Sequence, residues 1–220
     1  MMRYGLKPHV LLAEVDGDLV LMDTERNQYF CIARDAAGTV RGDLVGGNLF
    51  RGDASLIDEL EQAGLYGALE CVTPYRAVPQ IAHTEIFGDP PQRLGLVDVF
   101  VLAWAAGRAW LRLHTGRPSG WLRTANRRNR RARATETARD RVHALARQAY
   151  LARALFPGAA RCLPNSMLLL ELLALNGLGA RWVFGVRTFP FEAHCWVEHE
   201  GVILNDTIDH VRWYTPIAAT

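Results

Sequence analysis

Cys162, His194 and Asp206 are a thiol, an imidazole and a carboxylate, the three groups of a nucleophile, its base and the acid that orients the base. They occur in that order along one stretch. Cys162 opens Cys162-Leu163-Pro164-Asn165-Ser166, His194 lies in Ala193-His194-Cys195-Trp196-Val197-Glu198, and Asp206 closes Asn205-Asp206. A free thiol is mostly protonated near neutral pH, so an enzyme using Cys162 must lower its pKa. The start of a helix does so through its dipole and unpaired backbone donors, and an imidazolium at His194 does so further. These residue types also admit a bland reading, because cysteine is among the most buried residues and one beside a leucine run is commonly structural. Spacing alone leaves both readings open. A metal site fits less well, since His194 and Cys195 are neighbours on a strand and point to opposite faces. His199 and His210 read as surface or satisfied histidines, Cys195 as a core residue beside Val197, and Cys31 and Cys71 as inert.

The elements that must position these groups are legible. Pro164 suits the first turn of a helix and Gly177 the position just past its end. Between them Met167, Leu168, Leu169, Leu170, Leu172, Leu173 and Leu175 make nearly all faces apolar, so the helix belongs in a core. Arg181 to Arg187, Ala193 to His199 and Gly201 to Asp206 read as short strands. A turn centred on Glu200 would set His194 and Asp206 about 5 Å apart across a hairpin. Upstream, Leu94 to Leu113 is apolar but interrupted by Asp98, Arg108 and Arg112, which predicts a buried helix rather than a membrane span. The segment from Arg117 to Arg147 holds ten arginines. The chain has a single lysine, Lys7, so arginine is its general basic residue, and no aromatic residue interrupts Arg127 to Arg133. The run is either a solvated helix face or loop, or a contact for a partner, an acidic peptide or a nucleotide. From Val142 and Leu145 through Ala149 to Phe156 the spacing again follows one helical face.

The front third differs in kind. Val10 to Val15, Leu19 to Met22 and Asn27 to Ile32 predict three strands with turns at Asp16-Gly17-Asp18 and Asp23 to Arg26. Ala33 to Val45 predicts a helix ending at Gly46-Gly47, and Asp53-Ala54-Ser55 starts another with Leu56, Ile57, Leu60 and Ala63 on one face. Prolines at 74, 79, 90 and 91 give residues 73 to 93 the composition of a linker. Charge changes there too: residues 1 to 72 hold 6 basic and 12 acidic side chains, residues 73 to 220 hold 19 and 11. The expected organisation is α+β, with a domain at 1–75, a linker at 76–93 and a second domain at 94–220. At 220 residues and 50% hydrophobic composition the chain can bury a core without disulfides. No CxxC pair and no signal sequence at Met1 to Val10 favour a reducing, cytoplasmic setting with neither membrane nor nucleic acid as partner.

Taken together, Cys162 to Ser166, Gly185-Val186-Arg187, Pro190 to Glu198 and Asn205-Asp206 resemble the lasso-peptide biosynthesis B proteins, leader peptidases of the transglutaminase-like cysteine protease superfamily. The resemblance covers about residues 95 to 220. It implies a papain/transglutaminase-like domain with a buried helix against an antiparallel sheet, Cys162 as nucleophile, His194 as general base and Asp206 as orienting acid. At Cys195 the chain departs from the family, which often has a small residue there. The front third is similar in pattern to the family's peptide-recognition element, a small winged-helix-like unit of three strands and three helices. That implies a precursor leader adding as a strand beside Asn27 to Ile32, with Tyr29, Phe30, Ile32, Ile57 and Leu60 in contact. The family also implies an asparagine-synthetase-like lasso cyclase as partner. This chain has no phosphate-binding glycine loop, so ATP is expected at that partner, with no cofactor bound here.

Overall fold

The computed structural model describes residues 3–33, 35, 53–69, 82, 84–86, 95–132, 136–152 and 161–220. The expected helix at Ala33 to Val45, apart from residues 33 and 35, and most of the expected linker fall outside these residues.

Strands β2 (Val10–Val15), β3 (Asp18–Asp23) and β4 (Gln28–Ile32) form an antiparallel meander in that order. β1 (Arg3–Leu6) pairs separately with β5 (Tyr66–Leu69). Two tight turns make the meander possible: Asp16-Gly17 and Asn27 adopt positive φ, which Gly, Asp and Asn tolerate best. Alternation then sorts the side chains. Val10, Leu12, Leu19, Leu21 and Ile32 pack with Leu60 of α1 (Ala54–Gln62) and with Leu65. Ala13, Val15, Val20 and Met22 point the other way, into the cluster that contains Met167, Leu168 and Leu169. β3 is buried along its whole length, so the sheet is a middle layer between α1 and the C-terminal half. The Ser119 amide donating to the Thr24 carbonyl at 2.9 Å adds a backbone tie across that junction. Of the helices expected in a winged-helix unit, α1 lies among the described residues.

The C-terminal half is organised around α5 (Cys162–Leu175). Leu168, Leu169, Leu172 and Leu173 are fully buried on different faces of it, as the all-round apolar pattern requires. α2 (Leu96–Thr115), α4 (Glu136–Ala152) and a five-stranded sheet surround this helix. The sheet order is β10 (Thr215–Ala219), β7 (Arg181–Arg187), β8 (Glu192–His199), β9 (Val202–Ile203), β6 (Thr84–Glu85), antiparallel except for β6 against β9. β6 comes from the proline-rich stretch, so part of the expected linker is a sheet strand.

Three expectations need correction. α2 is buried on one side only, at Leu102, Ala105 and Ala109, and exposes its other side. The arginine-rich segment includes a further helix, α3 (Pro118–Arg131), whose Arg128 turns inward to the fully buried Glu171. The strand expected at Gly201 to Asp206 pairs only over Val202–Ile203, because Asn205 turns inward. Beyond it, α6 (Ile208–Val211) and β10 had too short a pattern to announce themselves. No helix among the described residues is long and apolar enough to cross a membrane.

Candidate active site

The first turn of α5 is built to leave donors open at Cys162. Arg161 caps the helix in an extended conformation without a side-chain bond, and the first intrahelical bond runs from the Asn165 amide to the Arg161 carbonyl at 3.1 Å. The Cys162 amide therefore has no helical acceptor. Asn165 and Ser166, both buried, lock this turn to the sheet. Ser166 Oγ accepts from Asn205 Nδ2 at 2.9 Å and donates to the Cys195 carbonyl at 3.3 Å. Asn165 Nδ2 donates to the Asn205 carbonyl at 3.4 Å, and Asn205 Oδ1 accepts from the Val197 amide at 2.8 Å. The polar letters of the Cys-Leu-Pro-Asn-Ser motif thus fix where β8 and residue 206 stand relative to the thiol. Nothing in the spacing alone assigned them that task.

On this frame the three expected groups converge. His194 Nε2 donates to Asp206 Oδ2 at 2.5 Å, which leaves Nδ1 for Cys162, and a side-chain hydrogen bond joins His194 to the thiol. Cys162 is partly exposed, His194 buried and Asp206 largely buried. The Cys162 thiol can be reached from solvent while His194 and Asp206 are largely shielded from it.

The electrostatics follow from these contacts. Cys162 is lowered to about 4, first by a hydrogen bond from Cys195 and then, against the opposing effect of burial, by His194. Cys195 is wholly enclosed, so burial pushes its thiol well above the usual range and it remains the protonated donor. Burial opposes charge on His194, but the bonds to Asp206 and Cys162 prevail and raise it to about 9. Asp206 is held below its ordinary value despite burial, by His194, the Thr207 amide at 2.8 Å and His210. The site is a thiolate–imidazolium pair between about pH 4 and about pH 9. Alkylation of Cys162 by iodoacetamide, followed by mass spectrometry, should therefore proceed at the same rate at pH 6.0 as at pH 7.5. An ordinary thiol would slow roughly thirtyfold over that interval.

His210, read as a surface or satisfied histidine, is exposed and bonded to Asp206. His210 Nδ1 donates to Asp206 Oδ1 at 2.9 Å, and its ring lies 4.5 Å from that of His194. Glu85 of β6 steadies the helix carrying it by accepting from the Ile208 amide at 2.7 Å. Through Asp206, His210 helps fix where the His194 ring stands. Its replacement by alanine should lower kcat roughly tenfold at unchanged KM, the scale of one hydrogen bond to a charged group. Asparagine, which can donate from the same position, should restore most of it. Tyr214 completes the cluster, its ring 4.8 Å from that of His194 and 5.5 Å from that of His210, and it reaches His194 because Gly185, directly opposite His194 on β7, has no side chain. A methyl group there would stand 2.7 Å from Tyr214 Cβ and 2.9 Å from Trp196 Cζ3. Gly185→Ala should cost about 1–3 kcal/mol of stability in thermal melts and slow Cys162 alkylation.

The residues expected to hold a leader divide. Phe30, Ile32, Ile57 and Leu60 share one apolar cluster on the outer face of the meander. Tyr29, expected to touch the leader with them, is half-buried on the inner face, its ring 5.6 Å from that of Phe191. Burial raises its hydroxyl pKa, and the Cys195 and Cys162 sulfurs lie close enough to raise it further. The front sheet therefore contributes to the surroundings of Cys162, which no pattern in the sequence indicated. His194, Asp206 and His210 also offer two ring nitrogens and a carboxylate oxygen within 4.8 Å of one another, a set able to hold a metal ion. Both His–Asp contacts are at hydrogen-bond distance, 2.5 and 2.9 Å.

A family model described as the transglutaminase-like superfamily matches residues 99–219, over half of the chain and all three converging residues. No curated protein and no solved structure gives a significant match.

Proposed function

Because the chain belongs to the transglutaminase-like superfamily, whose chemistry is that of cysteine peptidases and acyl transferases, we propose that it is a leader peptidase of lasso-peptide maturation. In this reading Cys162, His194 and Asp206 cleave the junction between the leader and the core of a ribosomally made precursor. The observation that carries it is the thiol at an open helix start, bonded to an imidazole whose far nitrogen is held by a carboxylate.

The Cys162 thiolate adds to the junction carbonyl, and the Cys162 amide, free of a helical acceptor, donates to the oxyanion. As the tetrahedral species collapses, the C–N bond breaks and His194 gives its proton to the departing amine of the core peptide. The leader remains as a thioester on Cys162. Water then adds with His194 as base, the C–S bond breaks, and the leader leaves as a carboxylate. Asp206 keeps Nδ1 directed at the sulfur throughout both steps.

Residues 1–75 serve as the leader-binding unit, 76–93 as the connection and 94–220 as the peptidase. β4 has β3 on one edge and no strand on the other among the described residues, so a leader can add there as a fourth strand. Phe30 and Ile57, both partly exposed, supply the apolar contact, with Ile32 and Leu60 buried beneath them. Tyr29 lies on the same strand near Cys162, so a peptide running along β4 approaches the nucleophile. The freed core amine suits an asparagine-synthetase-like cyclase as the partner that spends ATP, with both proteins in the cytoplasm.

The test is incubation of the full chain with the precursor peptide encoded beside its gene, read by mass spectrometry. Appearance of intact leader and core fragments is expected. An uncleaved precursor in the presence of rapidly alkylated Cys162 would overturn the peptidase reading and leave acyl transfer to an added amine as the activity of the site.

A further inference from the structure

α2 is a 20-residue helix that buries Leu102, Ala105 and Ala109 and turns a continuous apolar face outward. Leu96 is 81% exposed, Val97 74%, Phe100 74%, Trp104 65%, Trp110 61% and Leu111 54%. Exposed aromatic side chains of this kind present roughly 100–150 Å² each, so Phe100, Trp104 and Trp110 alone offer about 400 Å². With the aliphatic residues the face exceeds the few hundred Å² usual on a monomer and approaches the ~800 Å² per partner of a stable interface.

Its pattern says what fits it. Leu96, Phe100, Ala103, Gly107, Trp110 and His114 follow one another at steps of four, three, four, three and four, the seam of a helix that packs on another helix. Ala103 and Gly107 are exposed, and nothing lies within 4 Å of where a Gly107 Cβ would be. The seam is also self-complementary under a two-fold axis centred on residue 105. Antiparallel pairing sets Ala103 against Gly107, Phe100 against Trp110 and Leu96 against His114, with the small pairs at the crossing and the large ones on either side. The charges of the helix are engaged elsewhere: Arg108 and Arg112 reach Glu171, and Asp98 accepts from the Gly95 amide. No like charges would meet across the axis. Self-complementarity is what an isologous dimer needs and what a different partner would not require.

We propose that a second copy of this chain docks on the outward face of α2, antiparallel and two-fold symmetric, making the protein a homodimer with its two Cys162 sites independent. Sedimentation velocity on the full chain at micromolar concentrations is expected to give twice the 24.6 kDa of one chain. Gly107→Arg adds its side chain into open space in the monomer and blocks the crossing, so it should sediment as a monomer with an unchanged far-ultraviolet circular dichroism spectrum. Phe100→Glu, at a second point of the seam, should do the same. A wild-type monomer at 100 µM, whether or not it binds lipid vesicles or another protein, would overturn the proposal, as would a dimer that survives both substitutions.

Discussion

Cys162→Ala is expected to abolish turnover, with kcat falling by roughly 10⁴-fold or more, the scale seen when a nucleophile is removed from a triad. The expectation follows from how little else the site offers. Cys195 is fully enclosed and held as a thiol, and Cys31 has its pKa raised by burial and then by Asp18, so neither can substitute as nucleophile at neutral pH. The fold should not suffer, because Cys162 is only partly buried and makes no contact that α5 needs in order to form. Precursor turnover beside a thermal melt therefore separates lost chemistry from lost structure. An unchanged Tm with no product is the predicted pair of results.

The largest effect on stability is expected at Glu171, far from the thiol along the same helix. Its carboxylate is completely buried and meets three guanidiniums: Arg108 at 2.9 Å, Arg112 at 2.7 Å and Arg128 at 2.7 Å. Burial opposes its charge, yet the arginines hold its pKa below the ordinary carboxylate range. This one side chain ties α5 to both α2 and α3, and its removal leaves three like charges around a void. The arginines are partly solvated, which softens their repulsion. Glu171→Ala should still cost about 3 kcal/mol, a fall in Tm of roughly 6–12 °C. Glu171→Gln keeps the shape without the charge, so most of that loss should persist in it. A wild-type Tm in either variant would contradict the account of this buried cluster.

Those arginines show where sequence reading reaches its limit. A run of ten arginines announces charge but not direction, and Arg128 turns inward only because Glu171 on another helix is there to receive it. Local periodicity, by contrast, was enough for α5: leucines on every side, proline in the first turn and glycine past the end describe a core helix without tertiary information. The meander was legible for the same reason, from alternation and turn residues. His210 was not, because its value comes from a contact four residues back to Asp206 across the start of a one-turn helix, and so short an element has no pattern to distinguish it. The inward position of Tyr29 is not legible either, since alternation fixes which side chains share a face, but not which face is covered by the other half of the molecule. The outward seam of α2 was hidden by the same ambiguity, an apolar helix reading as buried until its neighbours are known. Cys162, His194 and Asp206 were legible as types and spacing, and the geometry that relates them rests on Asn165, Ser166 and Asn205, whose side chains gave no separate signal.

The central claim is that Cys162 carries the leader as a thioester between two steps. Rapid acid quench of the wild-type chain with precursor, followed by proteolysis and mass spectrometry, reads it directly. The account predicts a transient adduct on the peptide containing Cys162, equal in mass to the leader acyl group and formed no more slowly than the core fragment is released. Core release with Cys162 unmodified at every time point, or an adduct on any other residue, would contradict it.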